Sequence, residues 1–390
     1  MHGGRLGILC NQAAWHSAKG EYLFETFHKR GNLKRVFLPE HGLFGELQDQ
    51  VKLEGHSLYS ELGLKDCEFV SLYGNEESSL RADKKILLDL DALIIDLQDV
   101  GVRYFTYLST IRNLFITLKE ENIPLWVWII DKNNPAGRGI EGSPLPAEYE
   151  SFIGIRGLPH RHGLTIGEMA QVFHAELNAD FPLTIISKEA VGNAYPWLIP
   201  PSPNIPGYYT CDFYSGQCLW EGTNVSEGRG TTRPFEVFGA PWMEKLISFN
   251  AKKGLENWND EGNPLFDKGA SLRWHRFIPV YHKFKEEPCF GFQLIRRPGQ
   301  KYHALLHALR QIRFLKENCE EFAFRPGKYE AGNDKTAIEL LAGDPLLLDY
   351  LDGKINMIDE IENHLRKTEK EWMERAKNYL LYKEPLFQSL

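Results

Sequence analysis

Glu40 stands between Pro39 and the run His41-Gly42-Leu43-Phe44-Gly45, so the backbone turns sharply where the apolar stretch Val36 to Leu38 ends. A carboxyl buried there beside other carboxylates would hold its proton more tightly and could act as a general acid. The competing role is a turn or helix-capping carboxylate. Two further clusters follow the next apolar runs: Asp96, Gln98, Asp99 and Arg103, then Asp131, Asn133, Asn134 and Glu141. Aspartates at such points also cap the next helix, and Asp99 with Arg103 reads as a local ion pair. Glu141, ahead of Gly142, suits a site or a hairpin tip equally, and both roles stay open. His160-Arg161-His162 places two histidines one residue apart, yet no third His or Cys at a matching spacing completes a zinc set. No metal is expected, and ligand hydrogen bonding is the better reading of His162.

The densest stretch runs from Trp220 to Phe235 and carries Glu221, Asn224, Glu227, Arg229 and Arg233 among glycines and hydroxyl residues. A phosphate cradle would need a following Gly-Lys-Ser/Thr, which is absent, and no GxGxxG opens a helix after the first strand. Nucleotide cofactors are therefore not expected. Polyols need many paired hydrogen bonds, and a carboxylate ligand needs an arginine fork, so a sugar or acid-bearing ligand fits this inventory. Tyr195, Trp197, Tyr208, Tyr209, Phe213, Tyr214 and Trp220 add ring faces on which sugars stack, though such a set also builds core. A serine esterase is disfavoured because no Gly-x-Ser-x-Gly is present.

These residues must be held by an α/β framework. Strand-length apolar runs at Arg5 to Cys10, Val36 to Leu38, Asp91 to Leu97 and Leu125 to Ile130 alternate with helical stretches around Glu21 to Lys29 and Tyr104 to Glu121. Thr165 and Glu168 form a capping box that opens another helix. That pattern predicts a Rossmann-like, mainly parallel sheet, with ligands at the carboxyl ends of its strands. Long Gly/Pro-rich stretches, Asp131 to His162 and Pro196 to Pro241, read as functional loops. Beyond about residue 240 the pattern changes. Strands at Arg273 to Phe284 and Phe290 to Arg296 and helices at Lys301 to Glu317, Lys335 to Leu341 and Ile355 to Tyr382 predict a smaller α/β (α+β) domain. The expected division is 1–240 carrying most of the site and 241–390 closing the cleft.

Composition sets the outer bounds. A chain of 390 residues with 43% hydrophobic and 25% charged residues is an ordinary globular protein with room for two domains. A net charge of −8 supplies no basic field for nucleic acid. Six scattered cysteines fit neither a redox CxxC nor a zinc site. The longest apolar run, Leu125 to Ile130, is far too short for a membrane span. The start reads as a strand rather than a secretory signal, so a cytoplasmic chain is expected as written, and a periplasmic or secreted one if an upstream segment precedes it.

Several segments together resemble the exo-acting β-N-acetylmuramidases of the NamZ type. They are Gly7 to Gln12, Pro39 to Gly45, Asp96 to Tyr107, Asp131 to Pro135, Glu141 to Pro144, Arg161 to Gly163, Pro200 to Asn204 and Glu221 to Pro234. The resemblance implies a Rossmann-like larger domain, a smaller α/β domain, and a cleft that releases N-acetylmuramic acid from the non-reducing end of peptidoglycan fragments, with no cofactor. Two departures stand out: family members commonly carry an export segment, and their asparagine-threonine tract is here Asn11-Gln12 followed by Ala13-Ala14-Trp15. Under this reading Glu40 is the general acid. Glu141, with Glu227 or Asp99 behind it, is the second acidic group, and Arg229 or Arg233 holds the lactyl carboxylate. His41, Asp99, Arg103, Asp131, Asn133, His162, Asn204, Glu221 and Asn224 are the remaining candidate substrate contacts. Muropeptides or MurNAc-GlcNAc fragments are the expected substrates. A non-catalytic sugar-binding protein and a hydrolase of another bond are the alternatives.

Overall fold

A computed structural model describes residues 4–48, 59–73, 80–191, 199–246, 257–330 and 333–389. Six strands, β1 (Leu6–Cys10), β2 (Leu33–Leu38), β3 (Glu68–Ser71), β4 (Ala92–Asp96), β5 (Trp126–Ile130) and β6 (Leu183–Ile186), form one parallel sheet. Its spatial order is β3-β2-β1-β4-β5-β6, the doubly wound order of Rossmann-like folds, with the switch point between β1 and β4. The runs read as strands are uninterrupted because alternate side chains enter different cores. Leu9, Phe37, Leu93 and Ile95 pack on one face, and Ile8, Val36, Leu38 and Ile94 on the other. The edge strands β3 and β6 were not evident in the sequence, since they are short and half-buried and lack that signature.

Helices α1 (Leu23–Lys29), α2 (Tyr107–Glu120) and α3 (Ile166–Glu176) flank the sheet. α3 opens with the expected capping box, Thr165 accepting from Glu168 N and Glu168 from Thr165 N. α2 starts three residues later than expected because the preceding chain turns at Gly101, whose φ is 82°. A Cβ there would stand 2.2 Å from Asn134 Oδ1.

The C-terminal region holds an antiparallel sheet of β7 (Val237–Ala240), β8 (Ala270–Phe277) and β9 (Cys289–Arg296), ordered β7-β9-β8. Around it lie α4 (Cys211–Gln217), α5 (Ala304–Asn318), α6 (Ala337–Ala342), α7 (Pro345–Asp352) and α8 (Ile358–Ala376). The stretch read as one long loop, Pro196 to Pro241, therefore contains α4, a 3₁₀ turn over Cys218–Gly222 and β7. α4 packs tightly on α5 at Gly216, where a Cβ would meet Ala304 O at 2.1 Å. β8 stops at Phe277 rather than at Phe284, because Pro279 offers no donor and His282 and Phe284 adopt φ 67° and 54°. α8 ends at Ala376 rather than at Tyr382. Beyond it the chain is drawn onto α3, with Leu381 N donating to Glu168 and Tyr382 Oη to Asp131. One hydrophobic core joins the two regions, running from Leu93 and Ile129 through Trp220 and Phe292 to Trp372. No helix among the described residues is long and apolar enough to cross a membrane.

Candidate active site

The chain beyond the carboxyl ends of β2, β3 and β4 lines a cavity of about 730 Å³, within the range of about 300–1,000 Å³ usual for small-molecule sites. Glu40 reaches its wall two residues past β2. The chain reverses there because His41 and Gly42 take φ 75° and 83°, a conformation rare for a histidine. His41 Nδ1 lies 3.0 Å from Leu47 O, which anchors that turn. Burial holds the His41 imidazole below its ordinary basicity; the Glu40 charge opposes this and Arg229 adds to it. Glu40 is 4% exposed, and its Oε2 accepts a 2.7 Å hydrogen bond from Thr106 Oγ1 at the start of α2.

Thr106, Ser109, Arg112, Asn113 and Ile116 line the cavity from one stripe of α2, at the i, i+3, i+7 spacing of a single helix face. Arg112 pairs with Glu150 at 3.1 Å on the same wall. After β1, Asn11 Nδ2 donates to Pro201 O at 2.9 Å and Gln12 Nε2 to Pro200 O at 2.7 Å. Those bonds hold the 200–204 loop so that Ser202 and Asn204 face the cavity.

A further set of lining residues comes from later in the chain. Glu221 joins Arg229 Nη2 through Oε1 at 2.7 Å and accepts from Tyr329 Oη through Oε2. Glu330 accepts from the backbone N–H groups of Ile153 at 3.0 Å and Phe152 at 3.2 Å, clamping the 150–155 loop onto this set. Burial lifts the Glu330 carboxyl above the ordinary range against those donors and Ser151, and the Glu40 charge adds to the lift. Tyr73, Tyr104, Tyr214, Phe152 and Phe235 supply aromatic surface. Among the described residues, no group of three or more His, Cys, Asp or Glu side chains could hold a metal ion.

Comparison with known proteins gives this cavity a context. The N-terminal model of the exo-β-N-acetylmuramidase NamZ matches residues 6–209, and the C-terminal model of the same family matches residues 213–382. The chain belongs to the NamZ family of exo-β-N-acetylmuramidases. It is 30% identical over 395 residues to the peptidoglycan β-N-acetylmuramidase NamZ of Bacillus subtilis (strain 168), covering 98% of this chain and 88% of that protein. Two crystal structures of DUF1343 family proteins from Bacteroides fragilis NCTC 9343 share the fold, with TM-scores of 0.72 and 0.71 at 23% and 24% identity. Each alignment covers 98% of this chain and 95% of the other.

Within this NamZ fold the residues singled out from sequence divide into two groups. Glu40, His41, Asn204, Glu221 and Arg229 line the cavity. The others do not, and each has a structural occupation. Glu141 is buried against Arg161 at 2.9 Å, Ser215 Oγ at 2.7 Å and the N–H of Leu305 at 3.1 Å, which fastens the start of α5 to the first region. Burial alone would raise its carboxyl, but His303, Arg161 and these donors outweigh that and hold it below the ordinary range. Glu227 sits among Lys283 at 2.8 Å, His282 at 3.0 Å and Arg229 at 3.4 Å. Burial would raise its carboxyl, but Lys283, the His282 hydrogen bond and Arg229 outweigh that and hold it well below the ordinary range.

Asp131 caps α3, accepting from Gly167 N and Thr165 Oγ1. Asp96 pairs with Lys132 at 2.7 Å. Asp99 accepts from Gly101 N and from His162 Nε2; since Leu164 N donates to His162 Nδ1, the ring proton belongs on Nε2. The expected Asp99–Arg103 ion pair does not form. Arg103 is fully buried and donates to the carbonyls of Ser143, Leu158, Leu341 and Ala342, tying α6 to the sheet side. Its burial drops its pKa to about 10. Asn133 accepts from Gln98 through its carbonyl, Asn224 brackets Glu321 O and Ala323 N, and Arg233 is half exposed beside Glu236.

Of the aromatic set, Tyr214 lines the cavity, whereas Trp220 stacks on Phe238 in the core and Tyr208 is exposed. Tyr195 and Trp197 lie outside the described residues. Sequence reasoning missed the α2 stripe, although Thr106, Ser109 and Asn113 at helical spacing in an otherwise apolar helix are a usable signal. Tyr329 and Glu330 carry no local signal at all.

Proposed function

We propose that this chain is a glycosidase that removes N-acetylmuramic acid from the non-reducing end of peptide-free peptidoglycan fragments such as MurNAc-GlcNAc, with Glu40 protonating the departing glycosidic oxygen. The observation that carries the assignment is Glu40 itself. It is a buried carboxyl at the sheet's switch-point crevice, bonded to Thr106 and facing a cavity lined by amides, hydroxyls and aromatic rings. Residues before about 240 supply most of the lining, and Tyr329, Glu330, Asn333 and Leu341 close it from beyond that point.

The arginine fork for the lactyl carboxylate is reassigned to Arg112. Arg229 already bridges Glu221 and Glu227 and lies over the Phe235 ring, and Arg233 is outside the cavity. Arg112 projects from the cavity face of α2 with its side chain 24% exposed, leaving an edge from which it can meet a ligand carboxylate.

The direct test offers the protein two disaccharides, one with N-acetylmuramic acid and one with N-acetylglucosamine at the non-reducing end. Free N-acetylmuramic acid from the first and nothing from the second is the expected result. Binding without release would make the protein a sugar-binding protein instead, and release of the glucosamine sugar would remove the lactyl-selective reading.

A further inference from the structure

The acid is one half of a glycosidase. The second group, which must meet the anomeric carbon or activate what does, is expected from sequence at Glu141, with Glu227 or Asp99 behind it, and none of the three lines the cavity. From the residues that share this cavity we infer that Tyr329 is the nucleophile of this enzyme, with Glu221 as its base and Arg229 orienting that base. This inference rests on the muramidase reading above.

A weak nucleophile is activated when a base lies within hydrogen-bond reach and a third group fixes the base. Tyr329 Oη donates to Glu221 Oε2, and the other oxygen, Oε1, is held by Arg229 Nη2 at 2.7 Å. All three residues line the cavity that holds Glu40. With one oxygen bound by the guanidinium and the other by the phenol, Glu221 is oriented as a proton acceptor rather than as an attacking group. Arg229 is itself kept in place by Glu227 at 3.4 Å and by the Phe235 ring, 5.1 Å from its guanidinium carbon.

Tyr329 is fixed along the chain as well, because its neighbour Glu330 is pinned to the backbone of Phe152 and Ile153. Glu40 and His41 line the same cavity as Tyr329, Glu330, Glu221 and Arg229. A phenol also suits the substrate. It is neutral before attack, so it does not repel a sugar that carries its own carboxylate, whereas an ionised Asp or Glu nucleophile would.

The steps balance. Protonated Glu40 gives its proton to the glycosidic oxygen as the bond from the anomeric carbon to the leaving sugar breaks and its electron pair goes to that oxygen. Tyr329 Oη bonds to the anomeric carbon while its proton passes to Glu221. Water then attacks that carbon, ionised Glu40 takes a proton from the water, and the aryl ether bond breaks, with the phenolate recovering its proton from Glu221. One water is consumed and the enzyme returns to its starting state. Two displacements at one carbon give net retention.

The test uses the wild-type protein first. Proton NMR of the sugar released from a β-linked aryl muramic acid glycoside is expected to show the β anomer first, and the α anomer first overturns the proposal. A 5-fluoro muramic acid glycosyl fluoride, which slows the second step, is expected to leave its mass on the peptide containing Tyr329. Fragmentation of that peptide is expected to locate the mass on Tyr329 itself; mass located on Glu40, Glu221 or the adjacent Glu330, or retention with no adduct at all, overturns it, the latter pointing to attack by the sugar's own acetamido group. Tyr329→Phe keeps the ring and removes Oη, and kcat is expected to fall about 10³-fold or more with the thermal midpoint unchanged. A fall of less than about tenfold would reduce Tyr329 to a residue that merely positions Glu221. If the wild-type protein releases no muramic acid from any substrate, the muramidase reading fails first; release with the wrong label or anomer defeats only the Tyr329 assignment.

Discussion

Glu40 and Glu227 are both buried glutamates in glycine-marked turns, and both looked catalytic in sequence. Their surroundings separate them. Glu40 takes a hydroxyl hydrogen bond from Thr106 and faces the cavity, while Glu227 is enclosed by Arg229, His282 and Lys283 and lines no part of it. Burial therefore does not mark a reactive carboxylate; what occupies its lone pairs does. A carboxylate ringed by cations is held ionised and works as a junction between segments. One that lines a cavity stands where a bound ligand can meet it.

The largest expected effect tests the first half of that contrast. Glu40→Gln should lower kcat for muramic acid release by about 10²–10⁴-fold, with the thermal midpoint little changed. A greater loss of kcat in a well-folded Glu227→Gln protein would reverse the comparison. For Glu227→Gln the expected damage is to stability instead: buried Lys283 loses its counter-charge, at a cost of about 3–5 kcal/mol in urea denaturation.

The same pair predicts a pH dependence. The Glu227 carboxyl lies below its ordinary value of 4.5, so its contribution to stability is present above pH 4.5 and lost as pH falls below it through the folded-state value. Acid titration of unfolding should show a shallower loss in Glu227→Gln than in the parent, and identical slopes would break the ion-pair account. Arg112→Met should raise KM for a muramic acid substrate by roughly 10–100-fold, the worth of a charged hydrogen bond of about 1.5–3 kcal/mol. It should do so with little change for a substrate whose lactyl group is amidated, and an equal effect on both would remove Arg112 from carboxylate recognition. The smallest effect belongs to Arg233→Ala, whose half-exposed pair with Glu236 should change stability by no more than about 1 kcal/mol and turnover hardly at all.

Much of the scaffold was legible along the chain. Continuous apolar runs gave the central strands because a strand covered on both faces needs no polar alternation. Thr165 and Glu168 gave the start of α3 because a capping box is a local bond between residues three apart. Glu40 was legible for the same reason: a strand end, a proline and glycines are neighbours in sequence. The edge strands β3 and β6 were not, since half-buried four-residue segments carry too little pattern.

The sequence by itself determined the parallel sheet, the crevice at its carboxyl ends and the place of Glu40 on its wall. Tertiary structure decided which other polar groups share that crevice. Glu141 was removed from it by Leu305, 164 residues away, and Asp131 by Tyr382, 251 residues away, each taking a lone pair that chemistry would need. Tyr329 was brought in by Glu221 across 108 residues. Local bonds set the elements, but hydrogen-bond saturation depends on partners that only packing supplies, and it separates a structural carboxylate from a working one.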